Sequence, residues 1–294
     1  MTVTTPAALP APRRIRFSAR DGLPLSAAEW WDEAGGAHGR TPLLCLPGIC
    51  RTAMDYQALA ARHMGERRVV ALDYPGHGES ARADDPARYA PENIIRDVLD
   101  AMVALHVHRA VVVGTSFGGL MAMAIAAARP AALAAVVLND IGPRIEAEGR
   151  EFIRDFVARD PALATLDDAA DYLRRTLPPL GIADTAGWRR LAELTYARGG
   201  DGRWHPRWDT RLAEVILGTD PPEFWPYFGA LAHVPLLLVW GQASQILSAS
   251  TVQRMRQMHP DMALLSLPGV GHVPILDEPD TAAQLDAFLR TAVP

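Results

Sequence analysis

The chain has 294 residues, 49% of them apolar, and a formal net charge of −5. That length and apolar content suit one large domain, or a core with an insertion, and exclude a mainly disordered chain. The modest charge, with no basic block, leaves no footprint for nucleic acid or an anionic membrane surface, so a small molecule is the expected partner.

Met1 to Arg14 is rich in Thr, Pro and Ala and reads as a flexible tail, without an apolar run of signal-peptide length. No stretch has membrane-spanning length, so no membrane is expected as a partner. Cys45 and Cys50 have a C-x4-C spacing that matches no zinc pattern. They read as free thiols in a reducing, cytoplasmic compartment.

Ile15 to Trp31, alternating around Asp21-Gly22, predicts an antiparallel hairpin or meander. Continuous apolar runs follow, each closed by a turn signal: Leu43 to Leu46, Val69 to Leu72, Val111 to Val113, Val136 to Leu138, Leu236 to Val239 and Leu264 to Leu267. Continuous rather than alternating apolarity predicts strands buried on both faces, hence an α/β fold with a mostly parallel sheet covered by helices. Amphipathic stretches such as Ala90 to Leu105 and Ser250 to Met258 supply covering helices.

From Gly142 to about Gly229 no comparable β run occurs, and helical patterns appear at Gly149 to Val157, Asp167 to Leu177 and Trp188 to Tyr196. The predicted plan is a tail over 1–14, a core over 15–141 and 231–294, and a helical cap over 142–230. The cap's Trp188, Tyr196, Trp204, Trp208, Phe224, Trp225, Tyr227 and Phe228 either line a pocket roof or make a small helical core. For each ring taken singly, the core role is preferred.

The run Val111 to Val113 enters Gly114-Thr115-Ser116-Phe117-Gly118, a G-x-S-x-G pentapeptide, and Leu120 to Ala126 leaves it with strong helix propensity. Ser116 therefore sits on a strand-to-helix turn at a helix N-terminus, where backbone N–H groups can stabilise an oxyanion. A serine hydroxyl needs a base within hydrogen-bond reach. Of the nine histidines, His272 is best placed, in a Gly-Val-Gly-His-Val-Pro loop after the last strand. His106, His108, His233 and His259 lie at element ends facing solvent and receive no role.

The motifs Leu46-Pro47-Gly48-Ile49, Asp73 to Ser80, Gly114 to Gly119, Leu138 to Pro143 and Gly269 to Pro274 occur in an order that resembles the α/β-hydrolase family, from Ile15 to Leu289. Within it the chain looks like capped serine hydrolases, a group that includes esterases and meta-cleavage C–C hydrolases. The resemblance implies an eight-stranded sheet, His272 as general base, and an oxyanion hole from the backbone N–H groups of Phe117 and Ile49. Most relatives carry His-Gly where this chain has Pro47-Gly48, which makes Cys50 and Arg51 candidates for the pocket wall. Pro75 to Ser80, with His77, resembles a recurring structural loop, and Asp73 is read as bracing that turn. Asp277 and Glu278 resemble a helix-start signal.

Most relatives place the acid after the strand that corresponds to Leu236 to Trp240, but Gly241 to Ser248 holds no carboxylate, with Gln245 where an acid would be expected. Some relatives take the acid from the end of the preceding strand, where Asp140 stands, and Asp140 is the assigned third catalytic residue. The competing reading has Asp140 capping a helix start and Gln245 beside the imidazole.

The expected function is cleavage of a small to medium carboxylic ester through an acyl-enzyme, by a carboxylesterase-like serine hydrolase. The alternatives are C–C hydrolysis of a ketone or diketone, with Arg189 or Arg190 binding a carboxylate, or ligand binding on a hydrolase scaffold with a weakened triad. No phosphate-binding loop, G-x-G-x-x-G after a strand or H-E-x-x-H occurs, so no cofactor and no metal are expected. A monomer or homodimer is expected.

Overall fold

The computed structural model describes residues 9–32, 40–217 and 223–293. Residues 1–8 of the expected tail lie outside the described residues. Arg13 and Arg14, also placed in that tail, instead open the first strand, where they pair with Glu29 and Ala28. Side chains explain the earlier start, since Arg13 Nε donates to Glu29 at 2.6 Å and Arg14 reaches Asp73 at 3.2 Å.

In chain order the elements begin with β1 (Arg13–Ser18), β2 (Pro24–Trp30), β3 (Leu43–Leu46), α1 (Gln57–His63), β4 (Val69–Asp73) and α2 (Pro91–Ala104). They continue with β5 (Ala110–Thr115), α3 (Phe117–Ala128) and β6 (Leu133–Asn139). The segment after β6 holds α4 (Ala147–Val157), α5 (Leu166–Thr176), α6 (Thr185–Thr195), a hairpin of β7 (Tyr196–Arg198) and β8 (Trp204–Pro206), α7 (Leu212–Leu217) and α8 (Trp225–Gly229). The strand-helix alternation then resumes with β9 (Leu236–Gly241), α9 (Ala249–Met258), β10 (Ala263–Leu267) and α10 (Pro279–Ala292).

One eight-stranded sheet runs in the order β1-β2-β4-β3-β5-β6-β9-β10. β2 pairs antiparallel with both β1 and β4, and the remaining pairings are parallel. The continuous apolar runs are what such burial requires, because successive side chains alternate between two covered faces. Leu43 and Cys45 enter one layer with Leu59 of α1 and Leu285 of α10, while Leu44 and Leu46 enter the other with Val98 of α2 and Met255 of α9. Parallel pairing also gathers the strand ends, so the loops after β3, β5, β6 and β10 meet at one edge.

The expected helices of the segment after β6 are present, but the hairpin is an addition to them. Its three-residue strands are too short to leave a periodic signal, and Tyr196, read as the end of a helix, belongs to β7. The aromatic rings pack on one another. Trp208 lies 5.8 Å from Phe156 and 6.3 Å from Tyr196 between centroids, and its Nε1 donates to Val157 O at 2.9 Å.

Candidate active site

Ser116 joins β5 to α3 with φ 51°, a conformation that side chains rarely adopt. The turn closes against the sheet because Ser116 N donates to Asn139 O at 3.0 Å, and Gly119 N returns to Ser116 O at 2.8 Å. Two flanking glycines permit it. A Cβ on Gly114 would stand 2.5 Å from Gly118 O, and one on Gly118 would collide with Leu46 O. The sharp turn therefore needs residues without side chains at both positions.

Asp140 directly follows β6, also with positive φ, at 54°. Its N–H donates to Val239 O at 2.8 Å and its Oδ1 accepts from Gly241 N at 2.9 Å, so neighbouring β9 holds both its backbone and its carboxylate. The other oxygen, Oδ2, lies 2.8 Å from Nδ1 of His272, whose Nε2 lies 2.9 Å from Ser116 Oγ. The carboxylate is fully buried and the imidazole is 8% exposed, which strengthens the pair relative to one in water. The structure thus brings Ser116, His272 and Asp140 into one hydrogen-bonded line.

Gln245 is not in that line. Its side chain is exposed and its Nε2 lies 3.5 Å from Glu148 Oε1, so the reading that puts it beside the imidazole is corrected. The cause is local: the carbonyl of Gln245 packs against Gly149 of α4, which leaves the side chain on the outer surface. Nor does Asp140 cap a helix through its side chain, since that carboxylate is taken by Gly241 and His272.

Ile49 and Phe117, the expected oxyanion donors, flank the site on the loop after β3 and at the first residue of α3. Neither N–H donates to another group among the described residues. His77 is buried on its loop, with Nε2 2.6 Å from Ile49 O and Nδ1 3.0 Å from Pro75 O. Burial pushes its pKa below the usual histidine range. Asp73 braces the same turn, accepting from Ala53 N at 2.8 Å and Glu79 N at 3.1 Å. His106, His108 and His233 are exposed as expected, but His259 is buried, with Nε2 3.0 Å from Val234 O.

Sequence reasoning did not single out Asn139 for a role. It lines the site, and its Nδ2 donates to Pro274 O at 3.0 Å, tying the end of β6 to the loop that carries His272. Its position beside Asp140 was visible, but its partner, 135 residues away, was not.

A cavity of about 430 Å³ opens over Ser116 and His272. Its walls come from the loop after β3, including Cys50 and Arg51, and from α4, α5 and α6, whose Phe152, Leu173 and Leu194, with Leu177 just after α5, supply apolar surface. The aromatic residues named from the sequence as a possible roof are absent from this lining. Arg51 is partly buried, paired with Asp55, and donates to Thr195 Oγ1 of α6 at 2.7 Å. Arg190 lines the cavity, whereas Arg189 pairs with Asp167 on an exposed face. No group of His, Cys, Asp and Glu among the described residues could hold a metal, and no described helix is long and apolar enough to cross a membrane.

The chain is 28% identical over 274 residues to a 3-hydroxybutyrate-oligomer hydrolase of Cupriavidus necator, covering 90% of this chain and 92% of that one. It is 25% identical to a putative 2-succinyl-6-hydroxy-2,4-cyclohexadiene-1-carboxylate synthase of Bacillus subtilis, over 95% of this chain and 99% of that one. Among solved structures, an alpha/beta hydrolase from Novosphingobium aromaticivorans superposes with a TM-score of 0.89 at 36% identity, covering 96% and 99% of the two chains. With the profile of the alpha/beta hydrolase family matching residues 43–285, the chain belongs to that family and is a hydrolase.

Proposed function

We propose that the protein is a serine hydrolase that cleaves neutral carboxylic esters with small to medium aliphatic acyl groups. The observation that carries this reading is the unbroken line from Asp140 through His272 to Ser116, at 2.8 and 2.9 Å. Ser116 Oγ attacks the ester carbonyl carbon while His272 Nε2 takes its proton, and Asp140 holds the ring so that Nδ1 keeps its own proton. The carbonyl oxygen, now negative, is held by the Ile49 and Phe117 N–H groups. Collapse expels the alcohol, protonated by His272, and leaves an acyl-Ser116. Water then attacks with His272 as base, and the acid departs.

The apolar walls, leucines together with Phe152 and Phe156, suit an apolar acyl chain. The charged groups at the cavity include Asp184, Asp277 and Glu278 as well as Arg190, and the Arg51 guanidinium is already paired, so an anionic substrate finds no dedicated buried cation. This favours ester cleavage over the ketone chemistry that calls for a carboxylate anchor. Residues 142–230 act in this reading as the cap that closes the cavity on the core of 15–141 and 231–294. The Cupriavidus relative, named for hydrolysis of 3-hydroxybutyrate oligomers, makes neutral alkyl esters of short 3-hydroxy acids the first substrates to try.

The test is labelling by a fluorophosphonate probe together with turnover of p-nitrophenyl esters of increasing acyl length. Wild type should be labelled at Ser116 and hydrolyse esters, and Ser116→Ala should lose both while keeping its fold. Unlabelled wild-type protein, or turnover that survives in Ser116→Ala, would refute the reading.

A further inference from the structure

The loop that carries Ile49 has its carbonyls fixed one after another. Leu46 O accepts from Tyr56 OH at 2.7 Å, Pro47 O from Tyr74 OH at 3.2 Å, and Gly48 O from Arg51 N at 3.0 Å. Ile49 O faces His77 Nε2 at 2.6 Å. With each carbonyl held by a donor, the backbone over these residues is left with little freedom to turn, while the Ile49 N–H keeps no partner within the described chain. An oxyanion hole needs that condition: a free donor on a backbone that does not reorganise when charge appears.

Tyr74 joins this loop to the other donor. Its ring makes edge contacts with His77 and with Phe117, each with a centroid separation of 5.6 Å, and its hydroxyl holds Pro47. One buried side chain therefore touches the loop of Ile49, the imidazole that holds Ile49, and the residue that opens α3. The imidazole has its own support from the segment after β6. Gly78 N donates to Arg207 O and Asp209 N to Gly76 O, both at 2.8 Å, and His77 forms a bridge with Trp208. In a neutral ring only one nitrogen bears a proton, and it is assigned here to Nε2, which makes the shorter contact, to Ile49.

We infer that Tyr74 and His77 are positioning residues for the oxyanion hole, setting the Ile49 and Phe117 donors in place for the transition state without touching substrate, and that Arg207 to Asp209 clamps them from the cap. This rests on the serine-hydrolase reading. It gives the His77 loop, which sequence reading treated as turn architecture, a part in the rate, and it makes the segment after β6 more than a lid over the substrate.

The experiment compares wild type with His77→Leu, His77→Gln and Tyr74→Phe, measuring kcat and KM on one p-nitrophenyl ester and inhibition by a trifluoromethyl ketone, whose tetrahedral adduct carries an oxyanion. Loss of one oxyanion donor costs about 10²–10³ in kcat, so a mispositioned donor in His77→Leu should cost about 10–100-fold with KM nearly unchanged. Inhibition by the ketone should weaken in proportion. His77→Gln, whose amide can donate to Ile49 O, should recover much of the loss, and Tyr74→Phe should lose severalfold in kcat by the same split. Wild-type kcat in folded His77→Leu, or a rise in KM alone, overturns the inference. If His77→Leu does not fold, Tyr74→Phe decides, since it removes one oxygen and keeps the ring, and wild-type kcat there overturns the inference equally. The two readings fail differently: an unlabelled, inert wild type refutes the hydrolase reading, whereas an active, labelled wild type with unaffected variants refutes only the positioning roles.

Discussion

Oδ2 of Asp140 stands 2.8 Å from Nδ1 of His272, while Oδ1 of the same carboxylate accepts the Gly241 N–H at 2.9 Å. The second bond matters as much as the first. It fixes the plane of the carboxylate from β9, so that the oxygen offered to the imidazole does not depend on the His272 loop for its direction.

Replacing Asp140 by Asn keeps an oxygen for Gly241 but sets an NH2 donor against Nδ1, which favours the tautomer with the proton on Nε2, where it cannot accept the serine proton. We expect kcat to fall by about 10⁴ with little change in thermal stability. Gln245→Asp, on the exposed side near Glu148, should leave kcat within about twofold. Steady-state kinetics on both variants checks this, and a large gain from Gln245→Asp would place the acid elsewhere.

The cavity walls predict a division of labour among the residues after β6. Leu177→Ala and Leu194→Ala enlarge a lining surface and should shift relative kcat/KM toward longer acyl chains by about tenfold. Trp225 is 7% exposed, lies outside that lining and carries Arg254 over its ring at 3.8 Å. Trp225→Ala should cost about 3–5 kcal/mol of stability and leave acyl preference unchanged. An ester panel with urea unfolding of each variant separates the two outcomes.

Much of this was legible in the sequence because it is local. The apolar runs that became β3 to β6, β9 and β10 carry their burial in their own composition, and the Ser116 turn carries its glycines within two residues. What was not legible depends on chain segments that meet only after folding. Helical periodicity finds α4, yet it does not say that Phe152 faces the cavity while Trp208 and Trp225 pack elsewhere. His259 looks like a solvent-facing element end until the Val234 carbonyl arrives beneath it. Asp140 and Gln245 were both near the right strand ends, and what separates them is long-range: β9 turns the Asp140 carboxylate to His272, while Gln245 packs its carbonyl against Gly149 and leaves its side chain exposed.

Arg51 links the loop after β3 to α6 through Thr195 Oγ1 at 2.7 Å while pairing with Asp55. Because both ionic side chains are 16% exposed, the pair is partly shielded from salt. Arg51→Met should cost about 1–3 kcal/mol, the range for lost hydrogen bonds to charged groups, and Thr195→Val about 1 kcal/mol. If the contact joins the two regions as a unit, the double variant should cost less than the sum of the singles. Strict additivity in urea unfolding would show that Arg51 acts through Asp55 alone.

Stability should also fall on mild acidification, for a reason that differs from carboxylate loss. Burial is the leading cause that pushes His77 and His63 below their usual value of 6.5, opposed by the facing carbonyls at His77 and by Asp286, 2.8 Å away, at His63. The folded protein therefore binds fewer protons than the unfolded chain between the lowered values and 6.5. Their contribution is whole above the unfolded pKa and is lost as pH falls toward the folded ones, by at most about 1.4 kcal/mol per pH unit for each group. His205 works in the opposite sense. Asp160, then Asp201, raise its pKa, so its contribution is present below the unfolded value and lost as pH rises through the folded one, though solvent screens it. The urea midpoint should drop between about pH 7 and pH 5.5, above the range where most carboxylates titrate. His77→Gln should flatten that drop and His205→Asn should steepen it. A wild-type slope in His77→Gln would mean that its imidazole carries no titration penalty in the fold.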